Sequence, residues 1–190
     1  MSLFKGILMM LTVVSFTANG QSEMRAKDSV DIKTRIEGFY SWYIDMIKND
    51  RLDIDFNPGF VKKEDGMTTL DFSRYEQGLR KFKFTEDFIK KKIYDFKTCF
   101  DNLASVPFDE FIKYELDEHE KLRCDFSSYY EWTGGQEPVD KIELSRLSFV
   151  DKETALGEID FITNSKTNGQ AIVLFKKIDQ EWNVHGLILR

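Results

Sequence analysis

From residue 29 to 49, Ile32, Ile36, Phe39, Tyr40, Tyr43 and Ile47 recur at three- and four-residue steps, with Lys33, Arg35, Glu37 and Lys48 between them. That spacing predicts an amphipathic helix, with Asp28 or Ser29 as its cap and Asn49-Asp50 at its end. In residues 51–71, Phe60-Val61 and Met67-Thr68-Thr69-Leu70 flank Asp65-Gly66, a hairpin turn signal. Residues 72–82 read as a short helix. A second helix opens at Thr85, an N-cap followed by Glu86 and Asp87, and its buried stripe is Ile89, Ile93, Phe96, Phe100 and Leu103. Pro107 restarts the chain into a shorter helix carrying Phe108, Phe111, Ile112 and Leu116.

After Gly134-Gly135 the period changes. Residues 142–150, 154–163, 170–178 and 181–189 read as strands, joined by turns at Asp151-Lys152, at residues 164–169 and at Asp179-Gln180. Connections this short require an antiparallel meander. Helices first and a terminal sheet second make the fold class α+β, in one domain without repeats or a Pro-rich linker.

The N-terminus has a different character. Lys5 is the only charge in residues 1–20, residues 7–16 are mostly apolar, and Ala18-Asn19-Gly20 supplies small residues before Gln21. This is the pattern of a cleavable secretory signal, with residues 21–190 as the mature domain. The apolar run is shorter than the roughly 20 residues that span a bilayer. A retained anchor is the alternative, opposed by Thr12, Ser15, Thr17 and the polar continuation. A cut before Gln resembles the signal peptides common in one group of bacteria, which implies a bacterial periplasmic or secreted protein; the absence of a nearby cysteine argues against a lipid anchor, and no membrane span is expected after cleavage.

Cleavage leaves 170 of 190 residues; the 27 basic residues less Lys5 are 26 against 33 acidic, a net charge of −7. An acidic balance argues against nucleic acid and anionic membranes, both of which reward clustered Lys and Arg. It suits either simple solubility or a basic protein partner. Cys99 and Cys124 form an even pair, which in an oxidising compartment invites a disulfide worth about 3 kcal/mol of chain entropy. Two buried free thiols are the alternative.

A helix carrying Phe39-Tyr40-Ser41-Trp42-Tyr43, further helical segments and a meander ending in Glu181-Trp182-Asn183-Val184 resemble the nuclear-transport-factor-2-like superfamily. Within it, they resemble a family of exported bacterial domains of unknown function, where type VI amidase immunity proteins also appear. The resemblance covers roughly residues 30–189. It implies a bent sheet wrapped around a long helix to make a conical cavity (a cystatin-like or nuclear-transport-factor-2-like cone), and a homodimer through the open sheet face as an even alternative to a monomer. It carries over no catalytic residue. Residues 53–70 form an insert outside the family pattern.

Several residues could carry chemistry. Asp53, Asp55, Asn57 and Glu64 fall at positions 1, 3, 5 and 12 of a calcium-binding loop, with Phe60 at the apolar position 8. Pro58 stands where that loop needs Gly, and Asp65-Gly66 breaks its exit helix, so a strand with solvated aspartates is the competing reading. On the last strand Trp182, Val184, Gly186 and Ile188 should share one face, and Asn183, His185, Leu187 and Leu189 the other. If the second face lines the cone, His185 is a candidate general base oriented by Glu158 or Asp160, against the plainer reading of an ordinary sheet histidine. His119, inside Asp117-Glu118-His119-Glu120, reads as solvated, as does the Lys90-Lys91-Lys92 run. Aromatics make up 14% of the chain and fall mostly on helix and strand stripes, so they mean core. Tyr129, Tyr130 and Trp132 instead lie in a turn-rich junction, either as a recognition surface or as a cap on the open end of the cone. No nucleophile elbow, phosphate-cradling glycine loop or zinc set is present, and no cofactor is implied. The combined expectation is a non-enzymatic periplasmic binding domain with a protein partner in the cell envelope, its most specific form being an immunity-type inhibitor of a cell-wall hydrolase. The alternative is a small-molecule carrier or an isomerase- or dehydratase-like enzyme using the cone.

Overall fold

The computed structural model describes residues 3–49, 57–124, 131–134 and 139–190, with side chains from residue 23 onward. Its first element, α1 (Leu3–Lys48), runs without a break through the expected start at Asp28 or Ser29. Neither residue caps: the Ser29 hydroxyl donates to the Arg25 carbonyl, and Asp28 accepts from Lys177 Nζ. Glu23, Met24, Arg25, Ala26 and Lys27 are good helix formers, so nothing local stops the helix there. These five are exposed, and the buried stripe of Ile32, Ile36, Phe39, Tyr40 and Tyr43 begins just after Asp28.

The predicted hairpin is present. β1 (Gly59–Lys62) pairs antiparallel with β2 (Thr68–Asp71), and Gly66 takes φ +84° in the turn. Then come α2 (Ser73–Lys81) and α3 (Glu86–Asp95), the latter capped by Thr85 Oγ1, which accepts from Phe88 N. The expected long helix bends at Phe96 and resumes as α4 (Lys97–Leu103). The bend sets Phe96 against Phe72 and Tyr75 and turns Cys99 and Leu103 inward; Phe100, expected on the buried stripe, ends 46% exposed. Likewise the third helix divides into α5 (Phe108–Phe111) and α6 (Leu116–Lys121), leaving Ile112 and Leu116 exposed.

The helices and a four-stranded antiparallel sheet make the fold α+β. The sheet order is β3 (Lys141–Phe149), β4 (Thr154–Thr163), β5 (Lys166–Ile178), β6 (Glu181–Leu189). β5 starts four residues before its expected start because the chain reverses at Asn164-Ser165, both with positive φ, rather than through a loop to Gly169. Asp179 and Gln180 make the last turn in the same left-handed way. One sheet face, with Ala155, Ile159, Phe161, Val173, Phe175, Trp182 and Val184, packs on α1. A second core joins Leu70, Leu103, Val106 and Phe111 around a Cys99–Cys124 disulfide, with Cα atoms 4.9 Å apart. The two sulfurs are therefore bonded, not free.

Candidate functional site

The space that a cone would leave open is filled. The Phe39 ring sits at its centre, with centroids of Tyr40, Phe84 and Trp132 all within about 5 Å. Tyr40 stacks edge-on to Phe161 and donates its hydroxyl to the Trp132 carbonyl at 2.8 Å. Burial holds that phenol's pKa well above its ordinary value, with Tyr43 adding to the effect. This aromatic packing occupies the region between helix and sheet where a cone would hold its ligand.

Trp132 belongs to that packing. It is fully buried, which takes it off any contact surface and leaves the other expected role, a cap over the core. Its indole caps the core and carries Lys92 Nζ 5.1 Å above its ring. Lys92 also pairs with Glu131 beside it, so the third residue of the Lys90-Lys91-Lys92 run turns inward while the first two stay exposed. Glu131 faces the buried Tyr75 hydroxyl; desolvation first, and the Glu131 charge second, raise that phenol's pKa. Tyr129 and Tyr130 lie outside the described residues.

His185 sits on an irregularity that alternation alone does not predict. Leu174 pairs with Gly186 and Phe175 with Val184, so His185 is the extra residue of a β-bulge. One inserted residue reverses the alternation beyond it. The expected faces are corrected accordingly: Trp182 and Val184 pack inward together with Leu187 and Leu189, while Ile188 is 64% exposed. At the bulge, residues 83–85 run alongside β6, with Thr85 N donating to Val184 O and Val184 N to Lys83 O. This brings Thr85 Oγ1 to 3.0 Å from His185 Nδ1. That oxygen accepts from Phe88 N and keeps both its proton and a second lone pair, so the direction of its bond to Nδ1 follows the imidazole tautomer. Partial burial and then the Lys176 charge depress the His185 pKa, with Asp87 opposing.

The proposed orienting acids are not beside it. Glu158 and Asp160 lie on β4, and β5 runs between that strand and β6. Asp160 accepts from Gln170 Nε2 at 2.7 Å, and Glu158 lies 3.6 Å from Arg146. His119 also departs from its expected solvated setting: its ring centroid lies 4.8 Å from Phe111 and 5.8 Å from Phe60, aromatics contributed by α5 and β1.

Asp53 and Asp55 lie outside the described residues. Glu64 is exposed in the hairpin turn, and the chain beyond it is strand β2 where a calcium loop would continue as helix. Among the described residues no group of three or more His, Cys, Asp or Glu is placed to hold a metal ion. No helix among them is long and apolar enough to cross a membrane.

Two surface clefts flank α1. One, of about 340 Å³, lies toward β3 and includes Glu37, Lys48 and Asp140. The other, of about 530 Å³, lies toward α2 and includes Trp42, Arg74, Lys81 and Phe82. Neither cleft is legible in the sequence, and neither is Thr85 as the partner of His185. Their residues are legible singly, as a cap or a stripe, but nothing local says that residues 85 and 185 meet. No family model, curated protein or solved structure matches this chain.

Proposed function

We propose that the chain is a non-enzymatic exported binding domain that acts through a protein contact in the cell envelope. The observation that carries this reading is the filled interior. Phe39, Tyr40, Trp132 and Phe161 occupy the place of a cone cavity, and the histidine that would have served as base is bonded to Thr85, a strand away from Glu158 and Asp160. A domain without a reaction chamber presents its chemistry on its surface, and an acidic surface favours a basic partner. Export through cleavage after Gly20 is part of the same proposal. In its favour, residues 23–27 are exposed and the described buried stripe begins at Asp28, so a mature chain from Gln21 keeps that stripe.

The finer form of the proposal, an immunity-type inhibitor of a cell-wall hydrolase on a nuclear-transport-factor-2-like cone, rests on the resemblance of the first helix and the closing meander. With Trp132 buried, its contact candidates are Tyr129 and Tyr130. The test is capture from envelope extracts with residues 21–190, followed by reconstitution with the purified captured enzyme. A one-to-one complex that blocks hydrolysis, weakened by Tyr129→Ala/Tyr130→Ala, is the expected result. A preparation that turns over a small molecule and loses that activity in His185→Ala would reverse the reading.

A homodimer has its own support. Leu156 pairs with Leu174 and Ile172 with Ile188 on the sheet face away from α1, and Leu156 and Ile188 are both exposed. Sedimentation equilibrium of the mature chain and of Ile188→Lys tests it: a dimer that the variant dissociates is expected, and identical monomers would end the idea.

A further inference from the structure

The larger of the two clefts has a chemistry of its own. Its volume of about 530 Å³ falls in the range of small-molecule sites. The floor is aromatic and apolar: Trp42 and Phe82 meet at 4.9 Å between ring centroids, and Met46 closes the base. Trp42 stays half-buried, whereas Trp132 and Trp182 are sealed in the core. An indole kept at the surface beside a second ring is a ready stacking platform.

The walls carry opposite charges. On the α2 side stand Arg74 and Lys81, two helical turns apart and so on one face. On the α1 side stands Asp45, whose carboxylate accepts from Asn49 at 3.0 Å. The two neighbouring cations Arg80 and Lys81 are treated differently. Arg80 is held by Glu76 and Glu86, at 2.7 and 2.8 Å. Lys81 instead holds its ammonium 5.3 Å from the Phe82 centroid, with no carboxylate in ion-pair range among the described residues. A flexible, strongly hydrated lysine gains little from one half-buried ring, so the arrangement leaves a positive charge available directly above an aromatic floor. In a chain of net charge −6 this charge cannot come from the overall field and must be local.

We propose that the Trp42–Phe82 cleft binds an organic anion with a flat apolar body, the body lying on the two rings and the carboxylate meeting Lys81. Asp45 sets the orientation by repelling the anionic end from the α1 wall. The same chemistry is offered by a free aryl carboxylate and by the last residue of a peptide ending in an apolar side chain. The site requires no protein partner from the preceding proposal, so either can fail alone.

The test uses the mature chain labelled with 5-fluorotryptophan, whose three fluorine signals are assigned with Trp42→Phe. The probes are 3-phenylpropionate, its neutral amide, and an acetylated tripeptide ending in Phe with a free carboxylate. The expected result is a saturable shift of the Trp42 signal with 3-phenylpropionate, while the Trp132 and Trp182 signals stay still. The amide should bind at least tenfold more weakly, as should the acid to Lys81→Ala, and Asp45→Asn should tighten the acid. Thermal melts of these surface variants verify folding. If the tripeptide matches the free acid, the occupant is a chain terminus; if it is much weaker, the occupant is a small molecule. A Trp42 signal that does not saturate, or one that responds equally to acid and amide and ignores Lys81→Ala, would overturn the proposal.

Discussion

Reducing the Cys99–Cys124 bond tests the fold where its small lobe is least supported by the main sheet. The bridge closes a separation of 25 residues, and the chain-entropy relation for a loop of that size gives about 3.5 kcal/mol at 25 °C. The native state should add little to that figure. Both sulfurs are buried against Leu103, Val106 and Phe111, an apolar setting that accepts a thiol as a small hydrophobe and leaves no charged group exposed to desolvation. For a domain of this size each kcal/mol moves Tm by about 2–4 °C, so reduction should lower Tm by about 7–14 °C.

The assay is differential scanning calorimetry of the mature chain at neutral pH, with and without a phosphine reductant and with thiols counted after the scan. The Cys99→Ala/Cys124→Ala variant should melt near the reduced protein and ignore the reductant. Hydrogen exchange adds location: amides of residues 96–124 should lose protection first, and those of β4 and β5 last. A Tm that moves by less than about 2 °C on full reduction would refute the reasoning, because it would mean that the lobe's own apolar packing already restricts the unfolded chain or that the loop entropy is not exercised.

Four further outcomes can be measured directly. Gly157→Ala places a Cβ 2.9 Å from Leu144 Cδ1 and 3.0 Å from Phe175 Cε2, so urea unfolding should show a loss of about 1–2 kcal/mol after the backbone gain of Ala over Gly is subtracted. Gly38→Ala, in α1 with nothing within 4 Å, should instead stabilise by about 0.5–1 kcal/mol, and equal effects at both sites would defeat the packing argument. Lys177→Met leaves Asp28 buried without its partner 149 residues away, and should cost about 3 kcal/mol, much of it recovered by adding Asp28→Leu; a double variant as weak as the sum of the two would show no coupling. Because His185 binds its proton more weakly folded than unfolded, its contribution is complete above its ordinary pKa of about 6.5 and is lost as the pH falls below that; Tm should therefore drop more steeply from pH 6.5 to 5 in the parent than in His185→Gln, and parallel slopes would remove the effect.

What the sequence disclosed is what local rules control. The α1 stripe, the Thr85 cap, the Asp65-Gly66 turn and the order of four strands all follow from periodicity and turn chemistry. Disagreements arise where a distant partner decides. The helix bends at Phe96 because Phe72 and Tyr75 offer its ring a place, and Phe100 pays by facing solvent. The bulge at His185 exists only relative to β5, so alternation within β6 predicted the wrong face for Leu187, Leu189 and Ile188. His119 looks solvated among its charged neighbours, but Phe60 and Phe111 arrive from other elements and cover one side of its ring. Trp132, in a segment full of turn residues, has no periodicity to show that it fills the core.

These corrections share a consequence for function. Trp132 moves into the interior while Phe100 moves out, and Trp132 joins Phe39, Tyr40, Phe84 and Phe161 in the volume that would have made a reaction chamber. α1 then serves two purposes. Its apolar stripe holds the sheet, with Asp28 and Lys177 fixing one end, and its remaining sides form walls of two clefts that share Asp45. Trp42 lies on the border between those roles, close to Phe39 in the core and to Phe82 at the surface. A ligand seated on Trp42 would therefore press on a ring already in contact with the packed centre, so a change at the surface has a short physical route to the core. If the fluorine signal of Trp132, whose ring lies 5.0 Å from Phe39, stays fixed while Trp42 shifts, that route is rigid and the cleft acts as an isolated binding surface. If Trp132 also moves, the two are coupled, and occupancy of the cleft would bear on the shape that the domain offers to a protein partner.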